Sequence, residues 1–236
     1  MKMYKLLLFA ISVLFLFNCT KETEGLSRPT YYVAFEILGD NPAIVQVGEP
    51  YVDAGVRATM GGQAVTNFTT KSNVDYEAMG MYQVEYAGVN ADGLPSKAVR
   101  DVIVCNPAVT VDISGVWNVV SEGTYRDFSG ITNYGGPGYT VRITRLAPGF
   151  FSVRDFLAGW YEIRAGYGAV YAIGGNIALN VDNTIDFISS ALSPWGVPLD
   201  YCTEMSYDPE NETIKWVAGF GAPLGSAMKF YVTLTK

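Results

Sequence analysis

Apolar and polar residues alternate without a break through Tyr82-Gln83-Val84-Glu85-Tyr86. That spacing predicts a strand with Tyr82, Val84 and Tyr86 on one face and Gln83 and Glu85 on the other. Similar short runs cover 32–38, 43–47 and 98–104, with turns such as Asn90-Ala91-Asp92-Gly93 between them. No helical period appears, and turns recur about every ten residues, which is a β-sandwich pattern. Asn106-Pro107-Ala108 then divides the chain. Beyond it, strands are predicted over 113–121, 139–146, 150–154, 159–164, 169–173, 177–181, 184–188, 203–207, 213–218 and 227–235. Roughly eight to ten up-and-down strands are what a closed antiparallel barrel needs, and an open sandwich is the other arrangement the count allows. The expected class is therefore all-β, with a sandwich over 30–107 and an antiparallel barrel over 108–236.

The start of the chain follows another pattern. Lys2 and Lys5 precede an apolar run over 6–17, and Cys19 follows at once. A basic flank, a short apolar core and a processing site predict a secretory signal peptide over 1–18, because the run is too short to span a bilayer. Residues 19–29 are polar and predict a flexible tether.

Composition narrows the chemistry. The formal net charge is −7, and −9 once Lys2 and Lys5 leave with the leader. No Lys/Arg cluster interrupts the acidity, which argues against a nucleic-acid partner. The chain contains no histidine, which removes His-dependent triads, the usual imidazole base and nearly every zinc site. Carboxylates such as Glu162, Asp186, Asp200 and Glu204 are the remaining candidates for acid–base work, and solvated strand-edge charges are the commoner explanation of them. The chain is therefore read as non-catalytic, without metal or cofactor. Asp182-Asn183-Thr184-Ile185-Asp186 is read as a hairpin turn, because it lacks the glycine and distal glutamate of a calcium loop. Cys105 and Cys202 are expected to be buried free thiols.

Aromatics carry the functional hint, at 14% of the chain. Ser193-Pro194-Trp195-Gly196-Val197-Pro198 sets a tryptophan between chain breakers. Trp160, Tyr161, Tyr134, Tyr139, Tyr201 and Phe220 fall near glycine-rich bends, where flat rings suit sugar faces and peptide side chains. Trp195, Trp160, Tyr161, Tyr139, Tyr134 and Phe220 are the candidate ligand-binding residues, and filling of a small barrel is the competing explanation. Trp117 is assigned to the core. Asp53 is expected to accept a hydrogen bond from a bend that Gly55 permits.

Five resemblances extend this reading. The leader and Cys19 resemble a bacterial lipoprotein signal, which implies a lipid on Cys19 and membrane contact through that anchor. Lys21, Glu22 and Glu24 resemble the surface-export signal of Bacteroidetes lipoproteins, although a generic charged linker explains them equally. Gly48-Glu49-Pro50-Tyr51-Val52-Asp53-Ala54-Gly55-Val56-Arg57-Ala58, Gly80-Met81-Tyr82-Gln83-Val84-Glu85-Tyr86 and Arg100-Asp101-Val102-Ile103-Val104 resemble the immunoglobulin-like repeat of bacterial surface proteins. Gly115-Val116-Trp117 resembles the first strand of lipocalin-type barrels. The resemblance implies a basic residue from the last strand over Trp117, a place for Lys229. Two-domain lipoproteins of this appearance resemble accessory proteins of Bacteroidetes TonB-dependent nutrient importers. That implies an outer-membrane, surface-exposed protein capturing an oligosaccharide or peptide beside importer proteins. A structural or adhesive lipoprotein and a lipocalin-like carrier of a small apolar ligand are the alternatives.

Overall fold

A computed structural model describes residues 29–236, so the leader, Cys19 and nearly all of the expected tether lie outside the described residues. The expected sandwich is present. One sheet joins β1 (Ala34–Ile37), β3 (Val56–Met60) and β4 (Gln63–Ala64). The other has the order β2-β7-β6-β5, with β2 at Ala43–Gln46, β5 at Thr69–Ser72, β6 at Gly80–Val89 and β7 at Pro95–Cys105. The strict alternation around Tyr82–Tyr86 becomes the center of β6, and Val84 and Tyr86 meet Val102 in the core between the sheets. Each pleat therefore sends its apolar set inward, which fixes the register with β7.

The second unit is a curled antiparallel sheet. β8 (Gly115–Val119) pairs β11 (Thr140–Ala147), and β12 (Phe150–Val153), β13 (Gly175–Leu179) and β14 (Ile185–Ser190) follow in order. β15 (Tyr201–Asp208), β16 (Thr213–Phe220) and β17 (Met228–Thr235) continue the meander, and the end of β17 returns to β8. The seam between β14 and β15 is held by the single bridge Thr184–Ser206 and by the Tyr207 N–H to the Asn183 carbonyl at 3.0 Å. A short hairpin of β9 (Tyr125–Asp127) and β10 (Ile131–Asn133), which the sequence pattern did not predict, adds to the edge of β17. The result is a half-barrel curled almost onto itself.

Its interior is solid. Trp117, Phe151, Phe156, Trp216, Phe220 and Phe230 share one buried cluster with the aliphatic residues of the strands. Trp117 donates its indole N–H to the Ile113 carbonyl at 2.9 Å, and Trp216 donates to the Phe156 carbonyl at 2.8 Å, so neither ring buries an unpaired donor. The cation over Trp117 is Lys236, with Nζ 4.8 Å from the ring, and not the expected Lys229. Lys229 is exposed, at the register position beside Asp127 and Gly219. Cys105 and Cys202 are free and buried, as expected.

Phe150 and Phe151 show how the two units join. Successive strand residues point to opposite faces, so Phe151 enters the barrel core while Phe150 points outward. Phe150, Ala147 and Ala178 form a separate buried cluster with Ile103 and Cys105 of β7, edged by Met79 and Ile188. The outer face of β12 and β13, with Ala147 at the end of β11, is thus covered by the immunoglobulin-like unit, which explains why Phe150-Phe151 and Ile177-Ala178-Leu179 are apolar on both faces.

Two expected strands are helical turns instead. Residues Trp160–Arg164 form a π-helix and Ala169–Tyr171 a 3₁₀ turn. The cause is Asp155 at the end of β12. Its buried carboxylate accepts the backbone N–H groups of Leu157 at 3.0 Å, Gly159 at 2.7 Å and Ile173 at 3.2 Å. These bonds turn the chain back on itself just before Trp160, with Ala158 (φ 50°) and Gly159 (φ 86°) in the left-handed region. Burial pushes the Asp155 carboxyl up to about 6, against the lowering effect of its three donors. Arg154 clamps the helix to β12 through Glu162, at 2.5 and 2.7 Å.

Candidate functional site

In an up-and-down sheet alternate connections share an end. The β8–β11, β12–β13, β14–β15 and β16–β17 connections therefore meet at one end of the half-barrel, away from the β11–β12 turn beside Phe150. Two of them, β12–β13 and β14–β15, supply the rings of the candidate site. The π-helix brings Tyr161, the segment after it brings Tyr167 and Tyr171, and the β14–β15 loop brings Trp195.

The loop that holds Trp195 is closed by its own backbone. The Ser193 N–H bonds the Val197 carbonyl at 2.8 Å, and the Gly196 N–H bonds the Ser193 carbonyl at 2.8 Å. Gly196 has φ 78°, a conformation that lets the turn reverse directly after the tryptophan. The Leu199 N–H is fixed by Ser190 Oγ at 2.9 Å. Trp195 is thereby held 39% exposed.

The rings form one continuous group. Trp195 lies 4.8 Å from Tyr161, 5.0 Å from Tyr171, 5.8 Å from Phe220 and 6.4 Å from Tyr167. Tyr161 and Tyr167 are stacked at 6.0 Å with planes 15° apart. Tyr167 is 54% exposed, whereas Phe220 and Phe230 are buried beneath Tyr161 and serve as a floor. The Tyr161 hydroxyl meets Met228 Sδ at 3.6 Å. Burial raises its phenol, and the charge of Arg126 opposes that rise. Val170, Leu192 and Leu224 are exposed on the neighboring turns. A partly wet cluster of rings, with Trp195 tilted against its neighbors by 51–63°, offers aromatic contact area on braced loops with little conformational freedom to lose.

The six candidate ligand-binding residues separate accordingly. Trp195 and Tyr161 belong to the platform. Trp160, Tyr134 and Phe220 are core residues, at 5%, 5% and 1% exposure. Tyr134 donates its hydroxyl to the Leu157 carbonyl at 2.9 Å, and Trp160 packs edge-on against Tyr134 and Phe230. Tyr139 is partly buried against the same cluster, 6.4 Å from Tyr134. These four brace the platform from below or beside it. Tyr167 and Tyr171 were missed, although their setting in Gly166-Tyr167-Gly168 and next to a turn has the same aromatic-at-a-bend signature that singled out Trp195.

Three of the four candidate carboxylates have structural partners. Glu162 is bound by Arg154, Asp186 accepts Asn180 Nδ2 at 2.9 Å, and Asp200 accepts the Ala222 N–H at 3.0 Å. Thr184 N–H to Asp182 Oδ1 at 3.1 Å closes the expected hairpin turn. In the sandwich, Asp53 accepts the Gly55 N–H at 3.2 Å, and Gly55 has φ 78°, as the sequence implied. Asp53 also receives the hydroxyls of Tyr51 and Tyr86 and pairs with Arg100 Nε at 2.9 Å. A cleft of about 550 Å³ lies beside this network, between β2 and residues 49–54. Arg100, the buried cation of its lining, is already engaged by Asp53 and by three backbone carbonyls.

Comparison with known proteins places both units. Residues 35–104 match the family model of the bacterial surface protein Ig-like domain. Residues 106–236 match a model described as a C-terminal domain. The crystal structure of the lipoprotein BT2262 from Bacteroides thetaiotaomicron is 33% identical, covering 87% of this chain and 100% of that one, at a TM-score of 0.48. The chain belongs to the family of that lipoprotein. The two family-model matches abut beside the Asn106-Pro107 segment. No curated protein matches the chain.

Proposed function

We propose that the protein is a lipid-anchored surface lipoprotein whose half-barrel captures an oligosaccharide or peptide through the Tyr161–Tyr167–Tyr171–Trp195 platform. The observation that carries this reading is the exposure of Trp195 and Tyr167 within a ring cluster built on braced loops. A residue needed only for packing would be drawn into the core, as Trp117 and Trp216 are. The family supports the anchor on Cys19, since the relative is itself a lipoprotein. The immunoglobulin-like unit, joined through Phe150, acts as a spacer that directs the platform away from the membrane. A role beside a TonB-dependent importer fits such a capture protein. The filled interior speaks against a carrier of small apolar molecules, which needs a cavity.

Intrinsic fluorescence tests the reading. The other three tryptophans are buried, so a ligand on the platform should perturb the emission of Trp195. Titration with neutral and charged oligosaccharides and with short peptides should produce a saturable shift. Tyr167→Ala, which keeps the reporter, should weaken it about tenfold, the equivalent of about 1.4 kcal/mol. No saturable change with any probe would remove the capture reading and favor a structural module.

A further inference from the structure

The platform has a charged flank made of arginines that lack carboxylate partners. Arg126 of β9 places its guanidinium carbon 4.4 Å from the Trp160 ring centroid and 5.5 Å from that of Phe128. Arg164, in the last turn of the π-helix, sits 4.5 Å from the same indole. Trp160 thus carries two guanidiniums directly beside Tyr161. Among the described residues neither arginine is ion-paired, whereas Arg57, Arg100, Arg145 and Arg154 each hold a carboxylate. Glu162, two positions from Arg164, is occupied by both terminal nitrogens of Arg154. Arg126 Nε is buried without a hydrogen-bond partner.

Resting on the capture reading above, we propose that the platform takes an anionic oligosaccharide. Its sugar ring would stack on Trp195 beside Tyr167, whose plane is turned 63° from the indole, and its carboxylate or sulfate would be met by Arg126 and Arg164. In a chain of net charge −7, two guanidiniums on one indole, neither holding a carboxylate, oppose the overall sign. An aromatic face fixes a guanidinium in place without neutralizing it, as a carboxylate would. Its fork of N–H donors then matches a carboxylate or sulfate two oxygens at a time. A neutral sugar would satisfy the rings and leave both cations unused. An anionic sugar uses rings and cations together and needs the local positive pair to approach an otherwise acidic protein.

The experiment is calorimetric titration of the full chain in detergent with tetragalacturonate, a chondroitin-sulfate tetrasaccharide, maltotetraose and tetraglutamate, at low and raised salt. At least one charged saccharide should bind about tenfold more tightly than maltotetraose, and salt should erode that advantage. The uronate and sulfate arms identify which anion is preferred. Arg164→Gln, on an exposed side chain, should weaken the charged saccharide about tenfold with unfolding unchanged, and Arg164→Lys should recover part of the loss. Equal affinity for maltotetraose, or no effect of Arg164→Gln, would overturn the anionic assignment while leaving capture intact. Binding of tetraglutamate alone would overturn the saccharide. Silence toward all four, and toward the wider peptide and sugar panel, would remove the capture reading itself.

Discussion

Replacing Asp53 by alanine tests how the immunoglobulin-like unit is held. The carboxylate receives the Tyr51 and Tyr86 hydroxyls and the Gly55 N–H, and it sits 2.9 Å from Arg100 Nε. Arg100 is only 1% exposed, so its charge is solvated almost entirely by protein. Truncation leaves it with the carbonyls of Asp40 at 2.7 Å, Leu38 at 2.5 Å and Gly55 at 2.9 Å. Breaking a buried pair by removing one member costs about 3–5 kcal/mol. The Asp53 side chain is 24% exposed, and three carbonyls remain, so the low end applies, about 3 kcal/mol. All four tryptophans lie in the half-barrel, which makes fluorescence blind to this event. Hydrogen exchange followed by mass spectrometry on peptides from β6 and β7 reads it directly. Protection there should fall about a hundredfold, while peptides of β16 and β17 stay unchanged. Asp53→Asn, which keeps the shape and the acceptor oxygen, should lose less. A fall below about fivefold in Asp53→Ala would refute the idea that this carboxylate organizes the domain.

Three further outcomes follow from the packing and the site. Phe150→Ala should cost about 3–5 kcal/mol and uncouple the two units, seen as two calorimetric transitions in place of one; an unchanged thermogram would deny the buried junction. Asp155 is protonated more readily when folded than when unfolded. Its contribution is therefore fully present below the unfolded value of 3.8 and lost as pH rises through about 6, a span worth about 3 kcal/mol. Urea midpoints across pH 4 to 7 should show this decline on top of other titrations, and Asp155→Asn should flatten it. Gly175→Ala should unfold the β13–β14 pairing, because a Cβ there would lie 2.0 Å from the Ser189 carbonyl oxygen; retained β13 protection in hydrogen exchange would contradict that.

What could be read from the sequence depended on how local its cause was. β6 was legible because alternation of apolar residues is a local signal. The Asp53–Gly55 bend was legible for the same reason, while Arg100, which completes it from a distant strand, was not. The segment 159–164 misled because its strand-like mixture of Trp160, Tyr161 and Ile163 is overridden by Asp155, whose three backbone bonds impose a turn. Trp160, Tyr134 and Phe220 have the same aromatic-near-glycine signature as Trp195. Only the three-dimensional packing separates a ring drawn under the sheet from one left at its rim. The exchange of Lys229 for Lys236 over Trp117 has a similar origin: both lie on or just beyond the last strand, and register decides which reaches the indole.

The central claim is that Trp195 and its tyrosine neighbors form a capture surface. The most direct measurement is calorimetric titration of the wild-type chain and of Trp195→Ala with the tightest saccharide or peptide found in the fluorescence panel. The account predicts a loss of at least about tenfold in affinity for Trp195→Ala with an unchanged thermal midpoint. Equal affinity in the two proteins would contradict it.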